Sequence, residues 1–593
     1  MLRRMPRDHA HPNAAAFLGV ETSLSGRRWV GPSVEEDRLA EAMAQATSLP
    51  PAVCATLVRR GVTPEGAPAF LAPALRDLLP DPLTLRDMDK AAERFLQAVT
   101  RRERIAVFGD YDVDGGASAA LLLTWLRDMG REATLYIPDR IDEGYGPNEP
   151  AMAQLAQDHD LIICVDCGTL SHAPVAAAEG ADVVILDHHL GGETLPEAVA
   201  VVNPNRQDED GDLGHLCAAA VVFLMLVEAN RRLRAEGVAG PDLMAMLDLV
   251  ALATVADVAP LIGVNRALVR QGLKVMGRRQ RPGLVALSDV ARLDAPPAAY
   301  HLGFMLGPRV NAGGRIGQAD LGARLLATAD PHEAARLAEQ LDRLNSDRRD
   351  IEGRVREEAL AQAEARGIDA PLVWAAGEGW HPGVVGIVAS RLKEATHRPS
   401  VVIGVENGIG KGSGRSIAGV DLGAAIHRLA AEGLLEKGGG HRMAAGLTVL
   451  EDAIPAAMAR LAELLDRQGA AAGGPGDLQV SSLLMSSAAT PDLITQIEAA
   501  GPFGAGAAAP RFAFATQRVT YARRVGEGHL KIGFTDGAGP ACEAIAFGAF
   551  DGPLGPALEN HRGNRFHLAG RLEINHWGGR QRVQLRLEDA AEA

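Results

Sequence analysis

A chain of 593 residues is too long for one hydrophobic core, so several domains are expected. With 47% apolar and 23% charged residues, the composition excludes a disordered or fibrous chain. The net charge of −15 does not mark a nucleic-acid binder as a whole, yet from Arg511 onward eleven Lys/Arg stand against nine Asp/Glu, so the acidity lies elsewhere.

Five cysteines, an odd and sparse set, indicate a reducing compartment. Cys164-Val165-Asp166-Cys167 has no second pair to complete a zinc site and reads as buried thiols. The longest apolar run, Leu216 to Val227, is too short to span a bilayer. A cytoplasmic protein without membrane contact is expected.

Residues 1–80 read as an N-terminal helical extension. Met1 to Gly31 looks poorly ordered, and short amphipathic helices with Pro breaks at Pro50-Pro51, Pro80 and Pro82 follow. A further domain is expected over residues 81–320, within which strands and helices alternate from about 100 to 260. Candidate strands are Ile105–Phe108, Ala133–Ile137, Leu161–Val165 and Val183–Leu186, the pattern of a parallel sheet with helices on its faces. Ligands in such sheets sit beyond the carboxyl ends of the strands.

The first strand runs into Gly109-Asp110-Tyr111-Asp112-Val113-Asp114-Gly115-Gly116, ahead of a helix predicted over Ala117–Met129. Three aspartates at alternate positions repel one another unless a cation sits among them. Carboxylate oxygens are hard ligands, which suits Mg²⁺ or Mn²⁺. The other strand ends are also polar: Asp139 and Arg140, then Asp166 with Gly168, then Asp187-His188-His189. Asp257 closes the helix predicted over Leu243–Ala256, where a carboxylate opposes the helix dipole and a metal would offset that. Arg309 and Arg315 share a Gly-containing loop.

Residues 321–366 read as a connector helix. A second, smaller α/β domain is expected over 367–468, with His381 opening a helix and Gly438-Gly439-Gly440-His441 further on. In its loop Gly410 to Ser416, Ser413 and Arg415 combine with glycines in a way that suits a phosphate. The order of residues is not that of a Walker A loop. Residues 475–593 alternate short apolar runs with turns, which predicts a small β-barrel of the OB type. Its arginines and Tyr521, Phe534, Phe547 and Trp577 suit single-stranded nucleic acid.

The Asp-His-His triplet, with Gly-Asp-Tyr-Asp-Val-Asp-Gly upstream, resembles the DHH phosphoesterases. With the Gly-Ser-Gly-Arg-Ser loop, Gly-Gly-His-Arg-Met-Ala-Ala-Gly and the barrel, the chain is similar, from about residue 48 to 590, to the RecJ family of single-strand-specific DNA exonucleases. The resemblance implies two ions, Mn²⁺ or Mg²⁺, held by Asp110, Asp112, Asp114, Asp166, His188 and Asp257. It leaves open how the first three divide between the ions. His188 favours Mn²⁺ somewhat, imidazole being the softer ligand. Asp112 and Asp166 thereby serve catalysis, with Asp166 a candidate bridge and His189 beside the scissile phosphate. Arg140, Arg309, Arg315, Ser413 and Arg415 are implied to contact phosphates of the nucleic acid.

Two positions depart from the family pattern. Phe108 stands where relatives often carry His, and Ala507-Ala508 replaces an Asn-Pro pair near the barrel. The implied activity is 5′ to 3′ hydrolysis of single-stranded DNA to mononucleotides in repair and recombination, with a helicase and a single-strand-binding protein as partners. The alternatives are a phosphodiesterase of short RNA or dinucleotides, or an inactive nucleic-acid-binding scaffold.

Overall fold

The computed structural model describes residues 15–139, 143–472, 474–577 and 580–593. It divides into two compact units, one spanning 79–474 and the other combining 1–78 with 475–593.

In the first unit, five parallel strands form a sheet: β1 (Ile105–Gly109), β2 (Ala133–Tyr136), β3 (Leu161–Val165), β4 (Asp182–Leu186) and β5 (Ala200–Val202). The spatial order is β2-β1-β3-β4-β5. Every residue of β1 and β3 is buried, as expected of apolar strands covered on both faces. The order reverses between β1 and β3, the position where such sheets open a crevice for a ligand.

The helix after β1 runs Val113–Asp128 and starts earlier than the sequence predicts. Asp112 is its N-cap, accepting the N–H groups of Asp114 at 2.8 Å and Gly115 at 3.1 Å, which offsets the poor helix propensity of the paired glycines.

The stretch expected to be a loop around Arg309 and Arg315 is instead the helix Gly307–Ile316. Its glycines serve close packing, not turning. A Cβ on Gly314 would stand 2.1 Å from the Tyr111 ring. The connector is one helix, Pro331–Arg366, burying Leu337, Leu341 and Val355.

A second sheet has the order Lys437–His441, Ala444–Leu450, Ile409–Arg415, Ser400–Glu406, Val373–Glu378. The expected loop Gly410 to Ser416 is therefore mostly a strand, in which Ser413 pairs with Val402 on one side and Gly446 on the other. Glycine erased the side-chain alternation that would have marked it.

Gly404 lies so close to Trp380 that a Cβ there would meet the Trp380 carbonyl oxygen at 2.2 Å. The Trp380 indole in turn donates to Glu358 of the connector helix at 2.7 Å. Gly404→Ala is expected to destabilise the chain by about 1–3 kcal/mol through overpacking. A lowered thermal midpoint by circular dichroism checks this.

In the second unit, Phe512–Val525, His529–Thr535, Cys542–Ala546, Arg580–Glu592 and Arg565–Trp577 pair in that order, and the last returns to the first, closing a five-stranded barrel. Phe512, Phe514, Phe534 and Phe566 fill it. Phe534 is thus core and offers no nucleic-acid surface. Tyr521 and Phe547 are exposed, and the Trp577 side chain lies outside the described residues.

The expectation of disorder up to Gly31 fails from residue 15 onward. Trp29–Val30 pairs in parallel with Leu478–Gln479, and the buried Trp29 indole donates to Asp589 at 2.9 Å. The partners that order this segment lie hundreds of residues away. Among the described residues, no helix is long and apolar enough to cross a membrane.

Candidate metal centre

The carboxyl ends of β1, β3 and β4 bring the acidic motifs together. Three overlapping groups form, each with ligand atoms within 4.8 Å of one another: Asp110, Asp112 and Asp166; Asp114, His188 and Asp257; Asp166, His188 and His189. His188 Nε2 stands 3.2 Å from Asp166 and 3.6 Å from Asp114, and its Nδ1 is 3.9 Å from Asp257.

Local geometry enforces the crowding. A Cβ on Gly115 would meet the Asp110 carbonyl oxygen at 2.4 Å, so the turn after β1 closes only around glycine. Asp166 has a left-handed backbone (φ 61°), a conformation that Asp tolerates and that functional sites often retain.

The electrostatics are those of buried carboxylates crowded together. Burial, then the neighbouring aspartates, holds the Asp166 carboxyl well above its ordinary range. Burial also raises Asp114, against the pull of His188. Burial, with Asp114 and Asp112 behind it, pushes Asp257 up to about 8. Asp166 Oδ1 is buried and accepts no hydrogen bond. Clustered carboxylates and an imidazole with such an oxygen fit hard divalent cations, whose charge would reverse these shifts.

Asp114 carries a structural duty that its sequence context did not reveal. Its two oxygens accept the N–H groups of Ala218 (2.7 Å) and Ala219 (2.8 Å), the start of the helix Ala218–Ala235.

Asp187, a residue without a predicted role, anchors the histidine pair. Its Oδ1 accepts from the backbone of His188 (2.7 Å), the backbone of His189 (3.2 Å) and His189 Nδ1 (2.8 Å). Its Oδ2 accepts from Thr169 N and Oγ1 at 3.1 and 2.6 Å. Burial alone would raise this carboxyl, but the His189 bond and charge, with Thr169, hold it well below the usual range. Conversely, burial opposes a charged His189, and Asp187 overcomes it, lifting the imidazole to about 9.

Asn203 and Asn205 bind the carbonyls of His189 and His188 at 2.7 and 2.6 Å. The Tyr145 hydroxyl lies 3.0 Å from His189 Nε2 and donates to the Asp166 carbonyl at 3.1 Å. Asn203 and Asn205 occupy the strand-end position after β5. Recognising that strand would have flagged them.

The candidate phosphate contacts separate into two environments. Arg315 donates to the Gly383 carbonyl at 3.1 Å, in the first turn of the helix Pro382–Thr396. His381 caps that helix by accepting Gly383 N–H at 3.0 Å. Arg415 donates to Ser413 Oγ at 2.8 Å, and both approach Gly386 of the same helix. Arg309 instead pairs with Asp342 of the connector at 2.8 Å. Arg140 lies outside the described residues.

A doubly covered parallel sheet whose strand ends gather this aspartate–histidine array defines a DHH-family protein. Family models agree: the DHH family N-terminal domain matches residues 104–254, the DHHA1 domain 369–467 and the RecJ OB domain 481–589. The single-stranded-DNA-specific exonuclease RecJ of Dickeya dadantii is 40% identical over 87% of this chain and 92% of its own length. A crystal structure of RecJ from Thermus thermophilus in complex with Mn²⁺ superposes with a TM-score of 0.78 at 30% identity, covering 95% of this chain and 79% of that one. Its Mg²⁺ complex gives 0.73 at 29%, over 95% and 78%. The chain belongs to the RecJ family.

Proposed function

We propose that this chain is a metal-dependent exonuclease that degrades single-stranded DNA 5′ to 3′ to mononucleotides. The observation that carries the reading is the convergence of Asp110, Asp112, Asp166, His188 and Asp257 on one strand-end crevice. In this reading Asp110 and Asp112 would hold one cation and Asp114, His188 and Asp257 a second, with Asp166, grouped with Asp110 and Asp112 and also with His188, available to either. Mn²⁺ or Mg²⁺ bound there would supply Lewis-acid polarisation of a phosphodiester and activation of a water.

The chain's own groups do the rest. Asp187 fixes His189 through Nδ1 and favours its protonated form, so the imidazole is placed to serve the scissile phosphate as a hydrogen-bond donor or as the acid for the leaving oxygen. Arg315, Ser413 and Arg415 around the capped helix hold a terminal phosphate, and Arg309 and Arg140 act on the backbone. Catalysis is assigned to 81–320, joined by the connector 321–366 to 367–468, with 475–593 tracking the strand. Delivery of the strand by a helicase and a single-strand-binding protein, in repair and recombination in the cytoplasm, belongs to the same proposal.

The test is digestion of a 5′-labelled single-stranded oligonucleotide with Mn²⁺ or EDTA, beside matched duplex and RNA. Metal-dependent, immediate release of labelled mononucleotide is expected. Turnover confined to short RNA or dinucleotides would overturn it. Arg415→Ala is expected to raise KM for 5′-phosphorylated DNA about tenfold, the worth of one charge-assisted contact. An equal KM for wild type and variant would remove Arg415 from the phosphate site.

A further inference from the structure

The unit formed by residues 1–78 and 475–593 carries an open groove of about 880 Å³ whose lining residues belong neither to the metal centre nor to the cationic cluster. Its walls are the helix Val34–Thr47, the start of the helix Pro51–Val58, the segment Ser482–Met485 and the helix Pro491–Ala499. Ala52 and Leu493 on its floor are buried, whereas Leu483 and Met485 are 49% and 60% exposed. The strand Ser482–Leu483 is the edge of its sheet and lines the groove. Leu483 and Met485 thus leave apolar surface open in the groove, between polar residues.

The rim decides what fits. Asp37, Glu41 and Asp492 line it, and among the described residues no Lys or Arg does. Burial, reinforced by Glu36 and Glu41, already holds the Asp37 carboxyl above its ordinary range despite Arg59. A nucleic-acid phosphate or an acidic peptide would be repelled here. A cationic side chain would relieve the repulsion.

We propose that this groove docks a cationic amphipathic segment of a partner protein, with apolar side chains on the floor and Lys or Arg against Asp37, Glu41 and Asp492. The mode is an amphipathic segment laid in an apolar groove, with rim charges setting specificity.

The probe is a fluorescein-labelled Leu/Lys amphipathic peptide, with a Leu/Glu peptide of the same pattern as its counterpart, titrated with the full chain and read by fluorescence anisotropy. The Leu/Lys peptide is expected to bind and the Leu/Glu peptide not to bind. The combined variant Asp37→Lys, Glu41→Lys and Asp492→Lys should weaken binding about tenfold, the sum of three partly screened ion pairs. Reversal of three exposed carboxylates elsewhere, Glu357→Lys, Glu364→Lys and Asp369→Lys, should leave it unchanged.

Met485→Asp separates docking from mere charge attraction. It adds a negative charge, so diffuse attraction would strengthen, whereas docking on an apolar floor weakens. Equal loss in the rim and remote variants, tighter binding with Met485→Asp, or equal binding of the two peptides would each overturn the proposal. So would concentration-dependent dimerisation in sedimentation that Met485→Asp abolishes, which would give the groove to a second copy of this chain.

Discussion

Asp166→Asn is expected to lower metal-dependent hydrolysis by at least about a thousandfold while leaving the fold intact. The side chain is nearly isosteric, and the Oδ1 it replaces accepts no hydrogen bond from the protein. Among the metal-centre aspartates it is crowded by Asp110, Asp112 and Asp114 at once. Removing one negative charge therefore relieves repulsion in the metal-free protein. The thermal midpoint without metal should hold or rise, and the stabilisation gained on adding Mn²⁺ should shrink, since that gain follows differential binding to the native state. Thermal melts with and without Mn²⁺, beside turnover of a single-stranded oligonucleotide, read both quantities. Wild-type turnover, or an unchanged Mn²⁺ shift, would remove Asp166 from the centre.

The second large effect is expected at Asp187. Five donors converge on this buried carboxylate, three on Oδ1 and two on Oδ2. In Asp187→Asn the amide nitrogen must face donors whichever way it is turned. The expected cost is about 2–4 kcal/mol, the penalty of leaving buried donors unpaired and a partner charge uncompensated. With His189 no longer held through Nδ1, kcat should fall about 10–100-fold at saturating Mn²⁺, the usual range for losing a group that orients a site residue. Urea unfolding gives the first number and single-turnover cleavage the second. A stable variant with unchanged kcat would show that His189 needs no anchor.

Much of this was legible in the sequence because it is local. The runs at β1, β3 and β4 are continuous, apolar and bounded by polar residues, so the strands and the aspartates that end them could be placed together. The barrel is legible for the same reason, in the alternation of short apolar runs with turns over 475–593, although three of its strands run to 13 or 14 residues. What escaped depended on distance or on glycine. β5 is three residues long, too short for periodicity to register, and with it went Asn203 and Asn205.

The Gly410 to Ser416 stretch concealed a strand because a residue without a side chain has no face to bury. The Arg309 to Arg315 stretch concealed a helix whose glycines admit the Tyr111 ring. The capping of Ala218 and Ala219 by Asp114, and the pairing of Arg309 with Asp342, join residues too far apart in the chain for any spacing rule to link them.

The pairing of Trp29–Val30 with Leu478–Gln479, and of the Trp29 indole with Asp589, ties the beginning of the chain to its end. On the ribosome this has a kinetic meaning. Residues 79–474 contain every strand of both their sheets and can fold as they emerge. The first segment lacks its partners in 475–593 until that whole stretch has been made, a wait of about 20–80 s at ~5–20 residues per second. For that interval Trp29, Met43 and Leu57 lack the late-made residues that complete their clusters. The amino-terminal segment is thus made first and packed last.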